Sequence, residues 1–443
     1  MNIIDPSSTA FSRRRFLRST SSAAAVAALA GELAIERSAY AAGGDTLKLA
    51  LVGCGGRGSG AADQAMTADP GIKLVAMADV QEDQLLSSLS ALRTKHSERV
   101  DVPNERQFVG FDGYQKAIAS ADVVILGTSP GFRPIQFEEA VRQGKHVFME
   151  KPVASDAPGI RRILAAAEEA KKKNLKVAVG LQRRHQQGYR ETVKRLMEGA
   201  VGDITSMRCY WLGSAREGKE RRPGETELQY QIRNWYFFTW LSGDHNVEQH
   251  VHNIDIINWI KDSYPVSAQG MGGRQVRNKK IHGQIFDHHF VEYEYADGSR
   301  LSSQCRQGQV GAYNEVSEHV TGTKGSADLD DNKKFFNITG ENKWQLRQKV
   351  KEIGHQLEHY DWFDAIRNNK PYNEAERGAK TTMTAIMGRM ATYSGKMVTW
   401  DEAFNSKLQL VPDGPWDWNT VPPVVPDKDG WYPVAVPGKT VAL

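Results

Sequence analysis

Between residues 46 and 182, short apolar runs alternate with stretches whose apolar positions recur at helical spacing. The runs are 47–52, 73–78, 122–127, 146–149 and 176–181, and Gly159–Lys173 carries an Ala/Leu face between the last two. Apolar runs with little polar alternation read as strands buried on both faces. Strands separated by helices read as βαβ units around a parallel sheet. From residue 184 the pattern changes. Tyr189–Gly199 reads as an amphipathic helix, and strand-like runs then dominate at 203–211, 266–273, 286–296, 300–306 and 315–321, punctuated by turn signals such as Ala296-Asp297-Gly298 and Thr323-Lys324-Gly325. This predicts a mostly antiparallel sheet with one buried helix near 245–260 and two later helices at 354–368 and 374–394. Residues 411–443 are rich in Pro and Trp and have little periodicity. Trp416, Trp418 and Trp431 predict an extended arm, packed on the body or on a neighbouring subunit, rather than a solvated tail.

The first strand runs into a glycine fingerprint, Gly53-Cys54-Gly55-Gly56-Arg57-Gly58, with Gly53, Gly55 and Gly58 at G-x-G-x-x-G spacing. Asp79 ends the second apolar run, at the distance where a dinucleotide fold places the acid that holds the adenosine ribose. A carboxylate there repels a 2′-phosphate, so NAD is expected over NADP. The small polar loop Gly127-Thr128-Ser129-Pro130 follows the third run and is expected to line the cofactor crevice, and the fourth run ends in Glu150-Lys151-Pro152. The expected cofactor-binding set is Gly53, Gly55, Gly56, Arg57, Gly58, Asp79, Thr128, Ser129, Glu150, Lys151 and Pro152.

The N-terminus adds a compartment. Ser12-Arg13-Arg14-Arg15-Phe16-Leu17-Arg18 matches the twin-arginine export pattern, a weakly apolar Ala-rich stretch follows, and Ala39-Tyr40-Ala41 forms an A-x-A cleavage site. The apolar stretch is too short, and too interrupted by Glu32 and Glu36, to span a membrane. A periplasmic protein exported in the folded state is expected, with the cofactor loaded before export and held through turnover. Five Arg and three acidic residues lie in 1–41, so the leader carries +2 of the net charge of +4. The remainder is close to neutral, which gives no case for nucleic acid or an anionic membrane. Cys54, Cys209 and Cys305 are widely spaced and odd in number, which suggests neither a disulfide framework nor a C-x-x-C metal site.

With these pieces, and with Gln182-Arg183-Arg184 and the pattern Gly243-x4-Glu248-x3-His252-x2-Asp255, residues 46–405 resemble the glucose–fructose oxidoreductase / inositol dehydrogenase / rhizopine-catabolism oxidoreductase family. The resemblance implies an α/β fold: a Rossmann doubly wound parallel sheet, followed by an α+β domain with a large open mixed or antiparallel sheet. It also implies hydride transfer between nicotinamide and a sugar or polyol carbon, and a homodimer or homotetramer. The expected division is a leader at 1–41, an NAD-binding domain at 45–183, a substrate-binding and oligomerisation domain at 184–405, and an arm at 406–443. Gly270–Arg274, Phe286-Asp287-His288 and Ser303–Arg306 look like exported members from carbohydrate-degrading bacteria, some of which oxidise glycosides at C3. The family usually has Asp, after a run of glycines, where this chain has Glu248 after Ser242-Gly243-Asp244-His245.

Oxidising a secondary alcohol requires a base for the hydroxyl proton and a cation for the developing alkoxide. Lys151, at a strand end in the crevice, and His252 are the expected pair. Glu248, four residues earlier on an expected continuous helix, would share a face with His252 and raise its basicity. Glu150 would position Lys151. Arg183, Arg184 and His185 are expected to face substrate, an interdomain ion pair being the alternative for either Arg. Trp235 and Tyr236 are candidates for stacking on a sugar or for the core, and His245 and His288 complete the expected substrate set. His245, Glu248 and His252, with His250, His288 and His289 as further candidates, are the residue types of a zinc site, but no zinc-helix spacing is matched and no metal is expected. The leading expectation is an exported sugar or glycoside oxidoreductase with tightly bound NAD. The alternatives are a glycoside hydrolase or lyase working through a transient 3-keto intermediate, with His245, His250 or His288 as the extra base, and a non-catalytic sugar-binding protein.

Overall fold

The structure is a computed structural model that describes residues 46–347 and 353–443; the leader and its cleavage site lie outside the described residues. Six parallel strands form the first sheet: β1 (Leu47–Val52), β2 (Ile72–Asp79), β3 (Gln107–Val109), β4 (Val123–Leu126), β5 (His146–Met149) and β6 (Val177–Val179). Their spatial order is β3-β2-β1-β4-β5-β6, with the switch point between β1 and β4. The five apolar runs became β1, β2, β4, β5 and β6. β3 went unrecognised because it is three residues long and pairs only with Met77–Asp79, too short to show a period.

The second sheet has nine strands in the order β14-β13-β12-β11-β7-β10-β9-β8-β15. They are β7 (Ile204–Ser214), β8 (Ser267–Gly273), β9 (His288–Glu294), β10 (Arg300–Gly308), β11 (Glu315–Gly322), β12 (Gly325–Asp330), β13 (Phe335–Gly340), β14 (Trp344–Arg347) and β15 (Val398–Thr399). The β7–β10 pair is parallel and the other pairs are antiparallel, so the sheet is mixed. Inward residues of β9 (His289, Val291, Tyr293) and β10 (Leu301, Ser303, Cys305) are buried and alternate with half-exposed neighbours, the period of a sheet with one covered face. β12, β13 and β14 form meander turns at one end whose mixed polar and apolar residues gave no strand signal.

Helix Ala375–Ser394, buried along most of its length, packs on β8 and β9 and also on helix Ala157–Lys172 of the first domain, so one helix serves both layers. The chain also crosses back to the first domain at residues 354–374. Helix Gly354–Arg367 lies on helix Gly56–Ala68, and the N–H of Val177 donates to the carbonyl of Tyr372 at 2.9 Å. A cut at 183/184 therefore does not separate two bodies in space. The single helix expected near 245–260 is two pieces, His245–Glu248 and Val251–Lys261. No helix among the described residues is long and apolar enough to cross a membrane.

Candidate active site

The glycine turn is built by contact distances. Gly53 has φ +89°, and a Cβ on it would lie 2.4 Å from the amide nitrogen of Thr128. A Cβ on Gly58 would lie 2.0 Å from the carbonyl oxygen of Gly53, which forces helix Gly56–Ala68 tight onto the turn. Gly55 faces open space: a Cβ on it would meet nothing within 4 Å. Open space before a helix N-terminus is where a pyrophosphate can approach backbone N–H groups. The Asp79 carboxylate accepts from the N–H of Cys54 at 2.7 Å and of Gln81 at 2.9 Å, so it braces the turn it is expected to serve. Burial pushes its carboxyl above the usual range. One groove contains Gly53, Gly55, Asp79, Gly127, Thr128 and Ser129. These residues fit a dinucleotide.

The two crevice loops are tied by a residue the sequence did not single out. Arg133, fully buried, donates to the carbonyls of Thr128 and Pro152, joining the loops after β4 and β5. Burial pulls its guanidinium down to about 10 against the charges of Glu150 and Glu248. The Lys151–Pro152 peptide is cis. Glu150 does not hold Lys151: it forms an ion pair with Arg57 of the glycine loop at 2.9 Å. Beside that pair Glu358 is wholly buried, and burial together with the Glu150 charge raises its carboxyl well above the usual range.

Lys151 instead reaches the second domain. Its ammonium donates to the Glu248 carbonyl at 2.7 Å and to Oε1 of the same residue at 3.3 Å. The helix break explains the first contact. Gly243 (φ +79°) and Asp244 (φ +73°) turn the chain, the His250 N–H bonds back to the His245 carbonyl, and the His252 N–H bonds to Gln249 at 3.3 Å. The Glu248 carbonyl is thereby left free for Lys151. The same break overturns the expected Glu248–His252 pairing, because residues i and i+4 share a face only on a continuous helix. Nδ1 of His252 is buried without a partner, and its ring stacks on Trp211 at 6.0 Å. Burial, followed by the charges of Lys151 and Arg183, holds its pKa well below the usual imidazole value, the reverse of the expected rise. The site thus presents a neutral imidazole near an ammonium.

Other predicted residues are placed differently. Arg183 forms a buried ion pair with Glu318 at 2.5 Å, and Arg184 bonds Asp255 through Nε at 2.7 Å and Nη2 at 2.8 Å. His185 contacts Asp361 at 2.5 Å. Arg183 and Arg184 thus sit in ion pairs, the alternative weighed for either Arg, and Arg184 and His185 line a cavity with Asp361. The Arg184 and Asp255 positions belong to segments that must pack together, and a buried charge needs such a partner. Trp235 lines the dinucleotide groove. Tyr236 is buried, its hydroxyl accepting from Gln307 at 2.5 Å while Gln307 also donates to Gln249 at 2.6 Å. His288 is 43% exposed on its side chain and is held by Asp287 at 2.7 Å.

The ligand-type atoms of Asp244, His245 and His289 lie within 4.8 Å of one another. Both Asp244 oxygens are already engaged: Oδ1 with the His245 ring at 2.8 Å, Oδ2 with the Phe286 N–H at 3.0 Å and the Tyr393 hydroxyl at 2.6 Å. Although burial opposes ionisation, His289 and His245 hold the Asp244 carboxyl well below its usual value. The cluster fixes the turn that leads to Glu248. Burial lowers His245 to about 4 and His250 to about 3, and His250 is held by Ser303 at 2.8 Å. His245 Nε2 and His250 Nδ1 are buried without a hydrogen-bond partner, and His288 Nδ1 is bonded to Asp287. A further imidazole near the crevice is His355, lowered to about 4 by burial and by the charges of Arg57 and Lys151. No motif marked it, since a lone His at the start of a helix has no spacing signal.

Two family models match the chain: an oxidoreductase family model with an NAD-binding Rossmann fold over residues 47–180, and the GFO/IDH/MocA C-terminal domain over 189–328. An inositol 2-dehydrogenase from Acidiphilium cryptum is 29% identical over 291 residues, covering 65% of this chain and 74% of that protein. One from Serratia proteamaculans is 27% identical over 290 residues, covering 64% and 74%. Among solved structures, an aldose-aldose oxidoreductase from Caulobacter crescentus has a TM-score of 0.64 at 16% identity, covering 80% of this chain and 99% of that one. A levoglucosan dehydrogenase in complex with NADH and levoglucosan has a TM-score of 0.62 at 16% identity with the same coverage. At these identities the structural likeness speaks for the fold alone.

Proposed function

The chain belongs to the GFO/IDH/MocA family of NAD-binding oxidoreductases, and from that premise we propose that it oxidises a secondary hydroxyl of a sugar or glycoside, with C3 of a glycoside as the expected position. The sequence relatives named inositol 2-dehydrogenase support a polyhydroxylated ring as substrate. The observation that carries the reading is the juxtaposition at the crevice mouth: Lys151 bridges from the β5 loop to Glu248, and its charge bears on a buried, neutral His252.

Gly53, Gly55, Thr128 and Ser129 would hold the dinucleotide, with Asp79 on the adenosine ribose. The nicotinamide, when bound, supplies the hydride acceptor. His252 has the free lone pair needed to take the hydroxyl proton, and Lys151 the donor needed to hold developing negative charge on that oxygen. Glu248 holds the ammonium in the crevice through its carbonyl and carboxylate, which aims it without Glu150. The protein acts in the periplasm after twin-arginine export, as a homodimer or homotetramer, and keeps its cofactor between turnovers.

A second reading, glycoside cleavage through a transient ketone, is favoured by one observation: His355 adds a further neutral imidazole within reach of the Lys151 charge. Product analysis separates the two across a panel of glucosides, galactosides and free sugars. A keto-sugar accompanied by reduced nicotinamide supports the oxidoreductase. Cleaved glycoside at constant cofactor state supports the second reading, and no product with any member of the panel contradicts both.

A further inference from the structure

The carboxy-terminal arm runs without helix or strand from Ser406 to Leu443, yet it is pinned along its length to both domains. The N–H groups of Leu410 and Val411 donate to Asp156 Oδ2 at 2.7 and 3.3 Å. The Trp418 carbonyl accepts from the Thr226 hydroxyl at 3.3 Å, and the Val424 carbonyl accepts from Gln231 at 2.6 Å. Between these anchors Trp416 is laid flat on Trp240, with 4° between the rings at 5.5 Å, and meets Phe132 edge-on at 5.6 Å. Phe111 lies within 6.4 Å of Trp416 and 4.9 Å of Trp418.

Three of these rings, Phe111, Phe132 and Trp416, line the dinucleotide groove. Trp416 lines the same groove as Gly53, Asp79 and Thr128. The excursion between β7 and helix Glu227–Arg233 also contributes to the groove wall. Lys219 of that excursion faces the groove, its N–H donates to Asn234 at 3.0 Å, and its ammonium has no ion pair among the described residues. Arg222, three residues on, reaches Asp83 at the start of helix Glu82–Lys95 at 3.8 Å. The excursion is thereby laid across the adenosine side of the first domain. An unpaired cation in one groove with a glycine turn suits a pyrophosphate, and aromatic rings in the groove that holds Asp79 suit an adenine ring.

Resting on the NAD reading above, we propose that Trp416 of the arm and Lys219 of the excursion form a second wall over the adenosine and pyrophosphate half of the groove. The dinucleotide then leaves only when the arm lifts. The enzyme carries its cofactor as a resident group because its own C-terminus closes over it. These are positioning residues: neither touches the crevice where Lys151 and His252 lie.

The test uses the full chain without its leader, loaded with NAD and with NAD carrying an etheno-adenine as a fluorescent exchange probe. The wild type is expected to keep NAD through gel filtration, and Trp416→Ala and Lys219→Ala are each expected to release it at least about tenfold faster. Circular dichroism and melting report whether Trp416→Ala still folds. If it does not, Trp416→Leu and the exposed Lys219→Ala decide the question. Wild type and folded variants exchanging at the same rate, fast or slow, would overturn the proposal. Absence of any NAD binding by the wild type would instead overturn the cofactor reading on which it rests, and the proposal with it.

Discussion

At the residue scale, Lys151 and His252 carry the proposed chemistry. Replacing Lys151 by Ala removes the donor for the developing alkoxide, and kcat/KM is expected to fall by about 10²- to 10⁴-fold, with a much smaller effect on NAD binding. Steady-state kinetics beside a binding titration checks this, and equal losses in both would assign Lys151 to the cofactor alone. His252 should give a pH signature. Its folded pKa lies well below the ordinary imidazole value of about 6.5, so it stays neutral and competent through neutral pH. The acid limb of kcat/KM is therefore expected below that value, and a limb above it would exclude His252 as the base. Glu248→Asp, the family's usual residue, keeps the backbone carbonyl that Lys151 uses and withdraws the carboxylate by one methylene. The expected result is a change in substrate preference larger than the change in kcat, read from kinetics on a sugar panel.

At the scale of elements, the Gly243–Asp244 turn is the device that frees the Glu248 carbonyl. The sequence showed the residues around it but not the break, because apolar periodicity runs on through 251–261 and nothing local announces two consecutive positive φ angles. The pairing partners of Asp244 come from residues 286, 289 and 393, far away in the chain. Asp244→Ala leaves buried imidazole and tyrosine hydroxyl donors without their acceptor, and a loss of at least about 1–3 kcal/mol is expected in denaturant melts. The same burial sets acid stability. The folded pKa values of His245 and His250 lie below the unfolded value, so the unfolded chain binds more protons as pH drops. Their contribution is intact above about pH 6.5 and is lost as pH falls toward the folded values, by at most about 2 kcal/mol each at pH 5. Melting temperatures measured from pH 8 to pH 5 should fall steadily below pH 6.5; a flat profile would mean that these imidazoles are not held neutral.

At the scale of the whole molecule, the Rossmann half was legible because buried parallel strands and a glycine turn are local signals with fixed spacing. The second sheet was legible where strands alternate, as in β9 and β10, and illegible in β12 to β14, whose short strands mix polar and apolar residues. In the site, Lys151 and Glu248 were visible as motif residues, but Arg133, Glu358 and His355 were not, since each matters through contacts made only after folding. For Arg183 and Arg184 the sequence left the substrate-facing and ion-pair readings open, because a strand-end position does not tell a ligand-facing Arg from one neutralised by Glu318 or Asp255. The arm was expected to pack, and Trp416 does so on Trp240 at the dinucleotide groove, while Trp431 stays 43% exposed. Export belongs to this scale too. Replacing Arg13 and Arg14 together by Lys is expected to leave the full-length chain in the cytoplasm, as cell fractionation would show; unchanged periplasmic delivery would remove the leader assignment.

The central claim, that Lys151 and His252 serve hydride removal from a sugar carbon, is tested most directly by one mixing experiment. The leaderless protein, loaded with oxidised NAD, is mixed with a glycoside panel while the near-ultraviolet absorbance of reduced nicotinamide is followed. The account predicts that the band appears with at least one glycoside, that a keto-sugar accompanies it, and that Lys151→Ala forms it at least about 10²-fold more slowly. A band that forms equally fast in the variant would contradict the account, as would NAD-loaded wild type that reduces no cofactor and transforms no sugar.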